Sequence, residues 1–232
     1  PTIVLVHGAF ADASSWNGVT RILERDGYSV VAVANPLRSV KRDAQYVTDI
    51  VNGIASPVVL VGHSYGGFVI SQTGLDASKA KALVFVAAFA PDVGETAFAL
   101  SGKFPGSTLG AALAAPVALS GGGKDLYIQQ AKFHDQFAAD VPQDDAAAMA
   151  AAQRPVTEEA LNETASEAAW KSIPSWFIYG DEDKNIPPQA LGYMAERAMS
   201  KHTDVVKGAS HALMVSQPEA VAKLIERAAT AQ

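Results

Sequence analysis

Gly62-His63-Ser64-Tyr65-Gly66-Gly67 joins an apolar run, Pro57-Val58-Val59-Leu60-Val61, to a stretch of helical character that begins near Tyr65. A serine at the apex of a strand–turn–helix, with glycines on both sides, predicts a nucleophile elbow. Such a turn strains the serine backbone and points its hydroxyl out of the sheet edge. Side chains at positions 62 and 66 would strike the neighbouring strand and helix, which accounts for Gly62 and Gly66. The competing reading is a phosphate loop at a helix start. Such loops more often carry a lysine and follow the first strand, and neither holds here.

A serine hydroxyl is a poor nucleophile near neutral pH, so the elbow calls for a histidine and an acid elsewhere. Ser175-Trp176-Phe177-Ile178-Tyr179-Gly180 reads as a buried strand, and Asp181-Glu182-Asp183-Lys184-Asn185-Ile186-Pro187 as the loop leaving it. Residues 203–207 read as a short edge strand, followed by a loop that carries Ser210 and His211. The candidates thus leave three different strands at the carboxyl edge of one parallel sheet, where open α/β sheets assemble their chemistry.

The elements that must position them alternate along the chain. Strands are expected at 2–6, 29–34, 58–61, 82–87, 176–179 and 204–206, and helices at 15–26, 39–54, 65–75, 188–199 and 218–229. Several strands are continuous apolar runs, as in parallel strands covered on both faces. The fold class is therefore α/β, a mostly parallel six-stranded sheet flanked by helices, and 1–232 reads as a single domain. Between about 91 and 172 this rhythm breaks. The segment is rich in alanine, carries Gly121-Gly122-Gly123, and is read as short helices at 109–115, 124–131, 142–152 and 157–164.

Together, His7-Gly8-Ala9-Phe10, Gly62-His63-Ser64-Tyr65-Gly66-Gly67, Gly180-Asp181-Glu182-Asp183 with Pro187, and Ser210-His211 resemble the α/β-hydrolase superfamily almost end to end. The His-Gly-Ala opening and the compact length are similar to small bacterial carboxylesterases and to the plant methylesterase and hydroxynitrile lyase group. The resemblance implies an α/β-hydrolase fold with a helical lid insertion at about 91–172. It implies Ser64 as nucleophile, His211 as general base and then acid, and Asp183 as the residue orienting that histidine. Family members place this acid four residues before a proline, the relation of Asp183 to Pro187. Asp181 is left to hydrogen-bond turn backbone, a habit of aspartate in such positions.

Negative charge developing on a carbonyl oxygen needs two amides aimed at it. The expected donors are the amide of Tyr65, at the positive end of its helix, and that of Ala9, in the loop after the first strand. Gly8 would let that loop approach closely. Expected substrate-binding residues are Phe10, Trp16, Phe104, Tyr127 and Leu213, although Phe10 and Trp16 could equally pack their own loop. Further apolar candidates in the lid are Phe98, Leu109, Leu113, Leu119, Phe133, Phe137 and Trp170, many of which must form lid core instead.

Eighteen basic against 24 acidic residues give a net charge of −6, with no Lys/Arg cluster. That argues against a nucleic-acid or anionic-membrane partner. The chain has no cysteine, which removes disulfides, thiolate metal sites and a cysteine nucleophile. No apolar run reaches the roughly 20 residues of a membrane span, and the opening lacks the look of a signal peptide, so a cytoplasmic setting is expected. No histidine pairing suggests a metal, and no cofactor is expected. His7 should brace its own loop, and His63, one residue off the apex, should point away.

The expected activity is a serine hydrolase acting on carboxylic esters of small to medium, neutral or hydrophobic substrates through an acyl-enzyme. A lactonase or enol-lactonase would use the same three residues on a different pocket shape. Hydroxynitrile lyases carry threonine where Gly8 stands and lysine where Ala212 follows His211, which sets this chain apart from them. A non-turnover small-molecule sensor on the same fold is disfavoured by the intact Ser64, His211 and Asp183 set.

Overall fold

Apolar, largely β-branched runs supply the central sheet. The computed structural model describes residues 1–232 and contains β1 (Thr2–Val6), β2 (Val30–Val33), β3 (Val58–His63) and β4 (Ala80–Val86). An excursion bearing β5 (Val117–Ala118), β6 (Lys124–Leu126) and β7 (Val156–Thr157) follows, and then β8 (Ser175–Gly180) and β9 (Thr203–Val206). The large sheet runs β2-β1-β3-β4-β8-β9, with every pairing parallel. The inner strands β1, β3 and β8 are buried along their whole length, while the edge strands β2 and β9 are partly exposed. The order reverses beside β1, whose chain first feeds β2 on one side before crossing to β3 on the other. A crevice opens at such a switch point, at the carboxyl ends of the strands.

The helices are α1 (Asn17–Arg25), α2 (Val40–Asn52), α3 (Tyr65–Ile70), α4 (Ala97–Ser101), α5 (Leu109–Ala112), α6 (Gln130–Phe137), α7 (Gln143–Ala151), α8 (Glu158–Asn162), α9 (Pro188–Arg197), α10 (Leu213–Ser216) and α11 (Pro218–Thr230). Ser39 caps α2 by accepting from the Arg42 amide, and Glu163 accepts from the Val40 and Lys41 amides. Helix α3 stops at Ile70, short of the expected 75. Ser71 Oγ donates back to the Gly67 carbonyl, and the chain then turns through Gly74 at φ 70°. No helix is long and apolar enough to cross a membrane.

The excursion between β4 and β8 differs from the all-helical expectation. Residues 124–131 were expected as helix, but 124–126 form the middle strand of an antiparallel sheet ordered β5-β6-β7. The hairpin closes through Gly122 and Gly123, both at positive φ, as glycines in tight turns allow. Arg38 holds Asp125 on β6 at 2.8 Å and donates to the Pro155 carbonyl, and Thr157 Oγ1 donates to the Arg38 carbonyl. These tertiary bonds override the local propensity.

Candidate active site

Ser64 stands between β3 and α3 at φ 54°, ψ −121°, a region that costs a non-glycine residue on the order of 1–3 kcal/mol. The main chain holds it there. Ser64 N donates to the Val86 carbonyl at 3.3 Å, and the Ser64 carbonyl accepts from Gly67 at 3.0 Å and Phe89 at 3.2 Å. A Cβ on Gly66 would strike the Val6 carbonyl on β1, and one on Gly62 would lie 2.6 Å from the Gly66 carbonyl. The turn closes only with hydrogen at both positions.

His211 reaches this point from the loop after β9, and Asp183 from the loop after β8. His211 Nδ1 lies 2.6 Å from Asp183 Oδ2, with both side chains closed to solvent. Asp183 Oδ1 accepts from the Asn185 and Ile186 amides at 2.9 and 3.0 Å, so the carboxylate is gripped at both oxygens. Asp181 and Glu182 are exposed. Asp181 accepts from the Gly208 amide at 2.7 Å and thereby ties the two loops together. His211 Nε2 is buried without a hydrogen-bond partner, and no hydrogen bond joins it to Ser64 Oγ.

The loop after β1 is braced by His7. Its Nδ1 donates to the Gly8 carbonyl at 2.8 Å, while Nε2 accepts from the Asn35 amide at 3.0 Å, which fixes one neutral tautomer. Asn35 Nδ2 returns a bond to the His7 carbonyl at 2.9 Å. Burial pushes the His7 ring down from 6.5 to about 4. A Cβ on Gly8 would lie 2.7 Å from the His63 carbonyl and 2.8 Å from Ser64 Cβ, so this loop lies directly against the elbow. Phe10 follows at φ 66°, its amide donating to the Arg154 carbonyl at 2.9 Å. The Tyr65 side chain runs inward and donates to Asp43 Oδ2 at 2.7 Å. Burial raises the Asp43 carboxyl, and the bonds from Tyr65 and the Arg38 amide oppose that rise.

Ser64, Ala9, Phe10 and Tyr65 border a cavity of about 590 Å³. Its other walls are mainly apolar and come largely from the excursion, with Phe98, Leu109, Leu113, Leu126 and Leu161 among them. Glu158 is its one charged lining residue. Of the expected substrate-binding residues, Phe10 stands on this wall, whereas Trp16, Phe104, Tyr127 and Leu213 do not. Trp16 is fully buried, edge-on to His63. Phe104 packs across Tyr193 at 5.7 Å, and Leu213 is buried at the start of α10. Tyr127 follows β6 half-buried, its carbonyl accepting from Ala114. Apolar character marked these side chains without giving their direction. No group of three or more His, Asp or Glu side chains is arranged to hold a metal ion.

The profile of the Alpha/beta hydrolase family matches residues 3–224. The chain belongs to that family. Putative methylesterase 11, chloroplastic, of Arabidopsis thaliana is 26% identical over 242 residues, or 96% of this chain, which spans 62% of that protein's length. An alpha-hydroxynitrile lyase of the same plant is 27% identical over 238 residues, covering 93% of this hydrolase and 92% of the relative. The crystal structure of polyneuridine aldehyde esterase superposes with a TM-score of 0.83 at 20% identity, covering 98% of each chain, a likeness of fold.

One contributor to the site, Gln136, had no signal of its own in the sequence, and Phe137, expected only among the apolar lid candidates, braces His211 instead of lining the cavity. Gln136, near the end of α6, donates to Asn185 Oδ1 at 2.7 Å and to the Lys184 carbonyl at 3.0 Å, bracing the Asp183 loop. The next residue, Phe137, sets its ring edge-on to His211 at 5.1 Å, and its carbonyl accepts from Ala212 at 3.1 Å. One helix end thus supports both loops. His63 points away from the cavity, as strand alternation requires, and onto the carbonyl of His211 at 2.8 Å.

Proposed function

We propose that this hydrolase cleaves carboxylic esters of small to medium, neutral or hydrophobic substrates through an acyl-enzyme on Ser64. The reading is carried by the buried His211–Asp183 pair at the same sheet edge as a strained serine that opens on an apolar cavity. With Nδ1 donating to Asp183, Nε2 of His211 is the free base. The mechanism requires the Ser64 hydroxyl to hydrogen-bond that nitrogen, a contact that commonly tightens only once substrate is bound. Ser64 Oγ gives its proton to Nε2 and bonds the carbonyl carbon. The amides of Ala9 and Tyr65 receive the oxyanion, each donor contributing about 3–4 kcal/mol to the transition state. The C–O bond breaks, and the alcohol leaves with the proton from Nε2. Water attacks the acyl group by the same route and releases the acid.

In this reading the excursion serves as the lid, since it supplies most of the residues lining the cavity and would limit water during acylation. Relatives named as methylesterase and esterase support ester hydrolysis as the chemistry. The lyase relative fits less well, because Ala212 follows His211 and no Lys or Arg lines the cavity to stabilise a leaving anion. Hydrolysis of p-nitrophenyl esters of increasing acyl length, by the native protein and Ser64→Ala in parallel, tests the reading. Turnover should appear with the native chain and vanish in the variant. Persistent turnover in Ser64→Ala would remove the serine from the mechanism.

A further inference from the structure

The esterase mechanism leaves one buried histidine beside the nucleophile without a task. His63 ends β3, one residue before Ser64, and has no solvent exposure. Its Nε2 lies 2.8 Å from the main-chain carbonyl of His211, which is 148 residues further along the chain. A carbonyl only accepts, so Nε2 carries the proton and Nδ1 is left bare. That nitrogen has no partner at all. The His63 ring lies 4.6 Å from the His211 ring, tilted by 47°. Trp16 and Phe137 stand edge-on to it at 6.4 and 6.0 Å, and Phe137 also stands edge-on to His211.

Packing alone does not call for an imidazole here. A buried polar nitrogen without a partner is costly, and an apolar side chain would fill an aromatic-lined slot without that cost. What the imidazole adds is a single donated bond, and that bond ends on the residue whose side chain must hold two directions at once. We propose that His63 is a positioning residue, whose bond to the His211 carbonyl and ring contact with its imidazole fix the plane that aims Nδ1 at Asp183 and Nε2 at Ser64. The Gly208–Asp181 and Ala212–Phe137 bonds tie the main chain on either side of His211, and the bond from His63 fixes the carbonyl of His211 itself. That bond limits swing of the imidazole about the Nδ1–Oδ2 axis, and displacements of about 1 Å can cost on the order of 10²-fold in rate.

Burial first, and then the neighbouring His211, hold His63 well below the ordinary histidine range, so it stays neutral. An imidazolium forming on His211 therefore meets no second positive charge on the adjacent ring. The other titratable groups around this pair are His7 and Asp183, with Asp140 reaching the loop through the Ser210 amide at 3.2 Å.

The inference rests on the esterase reading only for what His211 is aimed at, and the test separates the two. His63→Phe keeps a ring and removes the donor. His63→Gln restores a donor at a similar reach, and His63→Met serves as the donor-free variant if Phe does not fold. Two readouts are taken, the low-field proton resonance of His211 Nδ1–H and the separate kcat and KM for p-nitrophenyl acetate. The donor-free variant should shift or lose the resonance and lower kcat on the order of 10²-fold with little change in KM. His63→Gln should recover the resonance and most of kcat. A native resonance and native kcat in a folded donor-free variant would overturn the proposal, as would a His63→Gln protein that is folded yet equally impaired. A resonance that responds as expected in a protein without ester turnover would retain the positioning role and sink the esterase reading.

Discussion

Asp183 Oδ2 lies 2.6 Å from His211 Nδ1, and the opposite oxygen of the same carboxylate takes the amides of Asn185 and Ile186. Two main-chain donors therefore set the carboxylate's rotation before the histidine meets it. In Asp183→Asn the carbonyl oxygen keeps those amides, and the NH2 group is turned toward Nδ1. The imidazole must then present a bare Nδ1 and carry its proton on Nε2, the nitrogen that acts as base in the proposed mechanism. Turnover should fall by about 10⁴-fold with the fold intact. Circular dichroism and steady-state kinetics on the same preparation check this, and near-native kcat would refute the assigned role.

Gly8 lets the β1 loop lie against the elbow. A methyl there would meet the His63 carbonyl at 2.7 Å, Ser64 Cβ at 2.8 Å and the Tyr65 amide at 3.3 Å. All three belong to the fixed turn, so the loop carrying the Ala9 amide must retreat. Gly8→Ala should lose about 10²–10³ in kcat through that donor and about 1–3 kcal/mol in stability through overpacking. Chemical denaturation and ester kinetics together separate the two losses.

His7 gives an acid sensitivity whose sign is determined by burial. Its folded value is about 4 against an ordinary 6.5. Above pH 6.5 both folded and unfolded chains hold it neutral, and it contributes nothing. Between pH 6.5 and 4 the unfolded chain takes up a proton that the folded chain refuses, so stability drains as pH falls, by about 3 kcal/mol in all. Below pH 4 the loss levels off. Urea unfolding at pH 7 and pH 4.5 should show a smaller acid loss in His7→Gln than in the native protein. Equal losses in both would place the sensitivity elsewhere.

Gly110 lines the cavity on α5, and a Cβ there would meet nothing within 4 Å. A larger side chain therefore has room at this edge of the cavity. Gly110→Leu should leave acetate ester turnover close to native while reducing turnover of longer acyl esters at least severalfold, since the walls there are already apolar and only volume changes. The acyl-length profile measures this. An unchanged profile would move the acyl subsite away from α5.

The site residues that depend on local rules were legible in the chain. Ser64 between glycines at a strand–helix junction announces a strained turn, because backbone sterics act within a few residues. The parallel sheet was legible for a similar reason, since strands buried on both faces must be continuously apolar. The two loops bearing Asp183 and His211 could be placed at one edge because parallel strands all point the same way. Selecting Asp183 from three neighbouring acids took the likeness to a family, and the buried geometry now separates it from the exposed Asp181 and Glu182.

Long-range pairing decided the rest. Lys124 to Leu126 became a strand because β5 and β7 lie on either side of it and Arg38 holds Asp125, contacts absent from any local window. Trp16, Phe104, Tyr127 and Leu213 were apolar enough to line a pocket, yet none stands on the cavity wall, and Trp16, Phe104 and Leu213 pack elsewhere. Hydropathy is a scalar property of a residue, and the direction of a side chain is set by elements far along the chain. Gln136 and His63 carry the same lesson for polar groups. The sequence by itself determined the strained serine turn, the parallel sheet and the edge to which the loops of Asp183 and His211 lead, since these follow from steric limits and burial pattern. Tertiary structure alone decided which side chains wall the cavity and which brace His211, because those choices depend on distances between segments that no local rule encodes.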